Sequence, residues 1–338
     1  MNRADAWRDK GSWFSWSPPG ADAAEVRVFH VELGDQDAPP LVLVHGFPTS
    51  SVDWFEVATR LSDRYRVCAM DFPGYGFSDK PRGWGYSLQR DARLLEHYVG
   101  DVLGLRSMIM LAHDRGSSVA MIHATGTTSP VELEHLFLTN ANIFLPLSVL
   151  TQFQRIALDP ETGPALLAQA TPEQLAAGMG QATYTPPRGP DDPEVQALAT
   201  IFAHDGGVEI LHETIQYLVE RSQDEDSWLR ALAALEVPTT FVWGVYDTVS
   251  PPRVVSYVWN HYMMSKPGRN SLYFIPDANH YLQNDRPDAL VETFLHALGA
   301  SDDVQPGPIA PRLAAPLLVD RSRADLPRAA DVLRRPAG

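Results

Sequence analysis

The chain has 338 residues, which at about 150 residues per domain suits two domains or one large domain with an insertion. Acidic residues outnumber basic ones 42 to 27, for a formal net charge of -15; this excludes bulk attraction to nucleic acid or to an anionic membrane surface and leaves a small-molecule substrate as the expected partner. Hydrophobic residues make up 44% of the chain and charged residues 20%, enough for a sizeable core, while a single cysteine, Cys68, excludes an internal disulfide and a cysteine-rich zinc site.

The opening residues 1–10 mix both charge signs without an apolar stretch, so no secretory signal is expected. Nowhere does an apolar run reach the roughly 18 residues of a membrane helix, and a cytoplasmic protein is the expectation. From Val26 to Asn140, short apolar or β-branched runs (26–31, 41–44, 67–70, 108–112 and 136–139) alternate with helix-length segments (52–61, 88–103 and 116–125). Near-continuous apolar strands separated by helices predict a mostly parallel sheet covered on both faces. The rhythm returns with strands over 239–243 and 272–275 and helices over 254–264 and 289–298.

Between the two blocks the pattern changes. Residues 146–236 read as mainly helical with proline and glycine interruptions, and are expected to form a cap on the carboxyl edge of the sheet, where open α/β sheets bind ligands. The core is expected in residues 1–145 and 237–300. Residues 301–338 are rich in proline and arginine without a clear period and predict a flexible tail, with a short amphipathic helix around 329–335.

Motifs carrying chemistry fall at strand ends. His45-Gly46-Phe47-Pro48 follows the strand 41–44, and its sharp turn exposes the Phe47 amide as an oxyanion-hole donor. Ala112-His113-Asp114-Arg115-Gly116 has the spacing of a nucleophile elbow, with aspartate at its centre. Asp247 follows the strand 239–243, where an acid would orient a histidine, and His280 follows the strand 272–275. Aspartate at a helix start is also a good N-cap, but nucleophile, acid and histidine occur in the chain order of the α/β-hydrolase arrangement. The remaining histidines show no paired metal-ligand spacing, so neither a metal nor a cofactor is expected.

An aspartate at the elbow changes the chemistry. A carboxylate is already ionised at neutral pH and attacks saturated carbon directly, giving an alkyl ester. His280, oriented by Asp247, would then take a proton from the water that attacks the ester carbonyl, while the backbone amides of Phe47 and Arg115 meet the developing charge.

The stretches HGFPTSSVD (45–53), DFPGYGFSDKP (71–81), AHDRGSSVA (112–120), 243–251 and 279–287 resemble the aspartate-nucleophile branch of the α/β hydrolases, which includes epoxide hydrolases and haloalkane and fluoroacetate dehalogenases. Within that branch the chain resembles most the mesoderm-specific-transcript-like hydrolases, through residues 7–29, LTNANIFLP (138–146) and QYLVER (216–221). The resemblance spans residues 7–298 and implies an α/β-hydrolase fold with a helical cap. It also implies a cap tyrosine that protonates an epoxide's leaving oxygen: Tyr217 by position, with Tyr184 as a second candidate. Trp54, Phe144 and Arg115 are expected to contact substrate.

A halide needs no proton but a cradle of positive hydrogens, typically a tryptophan after the nucleophile. Here Arg115 stands after Asp114 and Phe47 in the oxyanion loop, so the haloalkane dehalogenase cradle is missing. Arg115 matches the fluoroacetate dehalogenase pattern, in which it would grip a substrate carboxylate, although Ser118 replaces the partner arginine. Epoxide hydrolysis therefore ranks first and dehalogenation of a small halo-acid or haloalkane second. A binding protein on a hydrolase scaffold is the reading from another class.

Overall fold

The structure is a computed structural model describing residues 2–19, 24–126, 129–299 and 329–334. Eight strands build one sheet: β1 (Gly11–Trp16), β2 (Val26–Leu33), β3 (Pro40–Val44), β4 (Arg66–Met70), β5 (Ser107–His113), β6 (Glu132–Thr139), β7 (Thr239–Gly244) and β8 (Ser271–Ile275). Their order is β1-β2-β4-β3-β5-β6-β7-β8. Every pairing from β4 across to β8 is parallel, whereas β1–β2 and β2–β4 are antiparallel. The central strands are buried along nearly their whole length, as six consecutive residues of β5 and all of β7 are. That is the mark of a sheet covered on both faces, and it is why these strands read as unbroken apolar runs.

The expected strands are present within a residue or two, except that β6 begins at Glu132 rather than at 136. Strand β1 is an addition. It lies at the sheet edge with a mostly exposed or half-buried surface, so its serine and aromatic residues carry no core-facing period. Two expected helices end in single π turns, Leu88–His97 continuing as Tyr98–Val102 and Pro252–Val258 as Trp259–Met263.

Residues between β6 and β7 form a series of helices, of which Pro172–Thr183, Pro193–Ala203 and Tyr217–Ala234 are the longest. Their apolar residues, including Leu198, Ile201, Phe202, Leu218 and Leu229, join the same buried cluster as the sheet. The long helix Tyr217–Ala234 packs against Arg115–Gly126, the helix leaving the elbow. A short helix, Ala329–Arg334, packs on Tyr217–Ala234; the rest of the predicted tail 301–338 lies outside the described residues. No helix among the described residues is long and apolar enough to cross a membrane.

Candidate active site

The turn from β5 into the helix Arg115–Gly126 places Asp114 at φ 47°, a left-handed conformation costly for a non-glycine residue. Two glycines permit the approach. A Cβ on Gly116 would lie 2.4 Å from the His45 carbonyl oxygen, and one on Gly46 would lie 2.6 Å from Cβ of Asp114. The His45 side chain ties the neighbouring loops: Nδ1 donates to the Gly46 carbonyl at 2.9 Å and Nε2 accepts the Phe72 N–H at 3.0 Å. Burial pushes its pKa down to about 3, so the ring is neutral and this tautomer holds.

The Phe47 N–H donates to Oδ2 of Asp114 at 2.9 Å, and the nearby Arg115 backbone amide also favours the ionised carboxyl. Oδ1 is buried without a hydrogen-bond partner, 3.7 Å from Nε2 of His280. Burial raises the Asp114 pKa, while His280 and these amides oppose the rise. The two carboxyl oxygens are thus unequal: Oδ2 accepts the Phe47 amide and Oδ1 has no hydrogen-bond partner.

His280 and Asp247 stand on the loops after β8 and β7. Nδ1 of His280 lies 3.1 Å from Oδ2 and 3.2 Å from Oδ1 of Asp247. Asp247 is held in turn: Oδ1 accepts the N–H groups of Val249 and Ser250, both at 2.8 Å, and Oδ2 accepts the Asn140 side-chain amide at 2.7 Å. Burial alone would lower the His280 pKa, but Asp247, Asp114 and Asp53 outweigh it and the pKa lies above 6.5.

Tyr217 and Tyr184 are both buried with hydroxyls that have no partner. The Tyr217 ring lies 5.8 Å from Phe47. Burial, reinforced by Asp114 and Tyr75, raises its pKa well above 10 and keeps the O–H proton in place. Tyr217 is the first residue of a helix running on to Ala234. Tyr184 stacks on Tyr281 at 5.1 Å. Tyr281, which the motifs did not single out, donates to the Phe47 carbonyl at 3.2 Å.

A largely apolar cavity of about 150 Å³ reaches Phe47, His280 and Tyr281, walled by Phe153, Leu175, Met179 and Phe202 of the inserted helices. The three expected substrate contacts are not in its lining. Trp54 packs edge-on against His113 at 6.4 Å, and Phe144 stacks on Tyr257 at 4.3 Å. The Arg115 side chain turns away into a buried ion pair with Asp91, its guanidinium 5.2–5.5 Å from the Phe72, Tyr75 and Tyr217 rings. A carboxylate grip by Arg115 would compete with Asp91 for the same cation.

Sequence reasoning also missed Asn140, Asp53 and Arg221. Asn140 ends β6 at φ 39°, accepts the Gly244 N–H at 2.9 Å and donates to the Asn279 carbonyl at 3.0 Å as well as to Asp247. It sits in the LTNANIFLP stretch, whose resemblance was its only signal. No group of histidine, cysteine and carboxylate side chains among the described residues could hold a metal ion.

A fold of this topology, with an elbow residue facing a histidine and an acid at successive strand ends, defines a class. Residues 39–177 match the model of the alpha/beta hydrolase fold family. LipZ of Mycobacterium tuberculosis (strain CDC 1551 / Oshkosh), named as a hydrolase, is 31% identical over 295 residues, covering 86% of this chain and 96% of LipZ. The mesoderm-specific transcript protein of Mus musculus is 28% identical over 255 residues, covering 73% and 74%. The crystal structure of Cfl2 from Burkholderia cenocepacia superposes with a TM-score of 0.68 at 22% identity, covering 85% of this chain and 95% of Cfl2. The chain belongs to the α/β-hydrolase fold family and is a hydrolase.

Proposed function

We propose that the protein hydrolyses a substrate through a covalent alkyl ester on Asp114, and that the substrate is an epoxide opened to a vicinal diol. The observation carrying this reading is the asymmetry of the Asp114 carboxyl: Oδ2 is engaged by the Phe47 amide while Oδ1 is unpartnered. Oδ1 attacks an epoxide carbon, the carbon–oxygen bond breaks, and the leaving alkoxide takes the proton of Tyr217. In the second step His280 removes a proton from water. The resulting hydroxide adds to the ester carbonyl, whose oxygen Oδ2 already lies against the Phe47 amide. The adduct collapses as the bond from the Asp114 carboxyl carbon to Oδ1 breaks; Oδ1 leaves in the diol with the proton held by His280, and the water's second proton, left on the new Asp114 carboxyl, returns to Tyr217.

The inserted helices act as a cap that walls the cavity and supplies Tyr217. Tyr217, with its protonated and unpartnered hydroxyl, favours an epoxide over a halide, which needs no acid. Tyr184 is further from the argument because its ring is committed to stacking on Tyr281.

The test is His280→Ala incubated with a panel of epoxides and halo-acids. Epoxide mass retained on Asp114 in intact-mass analysis is expected, with no adduct in Asp114→Ala. Adducts formed only by halo-acids would replace the epoxide reading with dehalogenation. Turnover by Asp114→Ala equal to wild type would end the covalent scheme.

A further inference from the structure

Arg221 follows Tyr217 by one helical turn. It is completely buried, and Nε, Nη1 and Nη2 all lack a hydrogen-bond partner. Its Cζ lies 5.3 Å over the Trp228 ring. The other buried guanidinium beside the site, Arg115, is paired with Asp91 through Nη2, although its Nε and Nη1 are also without partners; Arg221 differs in having no ion pair within reach among the described residues. A guanidinium remains charged in proteins, and burying it without hydrogen bonds is among the costlier arrangements a fold can hold. Burial pushes its pKa down; Glu225, Tyr217, Asp114 and Glu220 act in the opposite direction. Glu225 is engaged elsewhere, since Oε2 accepts the Leu145 N–H at 2.9 Å. Around the elbow, buried groups with open hydrogen-bonding capacity include Oδ1 of Asp114, the hydroxyls of Tyr217 and Tyr184, Nε and Nη1 of Arg115 and the whole fork of Arg221.

We propose that Arg221 binds a carboxylate carried by the substrate, which makes the substrate class an epoxide with an acid group. This inference rests on the preceding reading for the epoxide but not for the carboxylate. The planar fork of donors matches two carboxylate oxygens. One guanidinium balances one negative charge; a phosphate dianion would leave a second charge uncompensated near the Asp114 carboxylate. The apolar cavity over His280, which neither Arg221 nor Tyr217 lines, would take the substrate's carbon chain, with the carboxylate reaching past its wall to Arg221. This also moves the anion grip suggested for Arg115 to a cation whose fork has no hydrogen-bond partner, with Glu225 as its strongest charged neighbour.

Binding to the full-length protein tests this without any chemistry. The probes are straight-chain monocarboxylates from acetate to octanoate, each paired with its primary amide and titrated by calorimetry. Wild type is expected to favour at least one acid over its amide by about tenfold or more. Arg221→Gln should abolish that preference and Arg221→Lys should keep part of it, with melting curves establishing that both variants fold. Equal binding of every acid and amide by wild type overturns the proposal, as does preference surviving in Arg221→Gln, which would place the anion at Arg115. If Arg221→Gln does not fold, the wild-type preference and its partial retention in Arg221→Lys still decide. Acid preference without any epoxide adduct on Asp114 would sink the epoxide reading alone; adducts from neutral epoxides without acid preference would sink only this one.

Discussion

The side-chain amide of Asn140 bridges Asp247 and the backbone of the histidine loop, donating at 2.7 Å to Oδ2 of Asp247 and at 3.0 Å to the carbonyl of Asn279. Its own carbonyl accepts the Gly244 N–H. One residue at the end of β6 thus fixes the two loops that bring acid and histidine together. Asn140→Ala removes a donor from a buried carboxylate and orphans the Gly244 amide, a combined loss of about 2–4 kcal/mol of stability. With Asp247 less constrained, hydrolysis of the alkyl ester should slow at least tenfold while ester formation changes little. Single-turnover kinetics separate the two steps; equal slowing of both would argue against a positioning role.

Tyr217→Phe deletes an O–H that has no protein partner, so it should cost little stability. Epoxide opening should fall 10²-fold or more, the scale of a positioned general acid, while any dehalogenation stays within a few-fold. Stopped-flow measurement of adduct formation with both leaving groups gives the comparison, and an equal effect on each would remove Tyr217 from the acid role.

The pH dependence follows from His280. Its pKa is held above 6.5 against burial by Asp247, then by Asp114 and Asp53. A general base must be neutral, so hydrolysis is lost as pH falls through that pKa. Esterification removes the Asp114 charge and with it one of the contributions holding the proton on. The acid limb of ester hydrolysis should therefore lie at lower pH than the His280 titration of the free enzyme. NMR titration of the imidazole beside the pH profile of single-turnover hydrolysis tests the order; coincident midpoints would contradict it.

Asp53 is a buried carboxyl whose pKa burial raises to about 8, with Asp71 and Asp114 adding to the rise and Thr49 and His280 opposing it. An acid raised in the folded state contributes no penalty below its unfolded pKa near 3.8 and destabilises progressively as pH rises towards 8. The Thr49 hydroxyl donates to Oδ2 of Asp53 and could equally donate to an amide carbonyl. Asp53→Asn should therefore gain on wild type by up to about 1.4 kcal/mol per pH unit over this window. Denaturant unfolding at pH 5 and 8 reads the slope, and parallel curves would mean that Asp53 is not protonated in the fold.

The apolar runs of β3, β5 and β7 and the elbow spacing 112–116 were legible because each is a local pattern: a strand buried on both faces must be continuously apolar, and a turn that tight needs small residues beside it. Likewise, Asp247 and His280 could be located by their positions just past strand ends. β1 could not be read, since an edge strand lacks a buried face to impose a period.

What the chain order determined by itself was the parallel sheet, the inserted helices and the identity of the candidate nucleophile, acid and histidine. Only the tertiary structure decided where side chains point. Arg115 follows the nucleophile in sequence, yet its guanidinium goes to Asp91 because the helix Leu88–His97 packs against the helix leaving the elbow and brings that carboxylate alongside. Arg221 entered the sequence reading only as the last residue of QYLVER, with no role, and the structure leaves its buried fork without a hydrogen-bond partner. Sequence spacing fixes which residues are near along the chain, but a charge is neutralised through space, and that pairing exists only once the helices have docked.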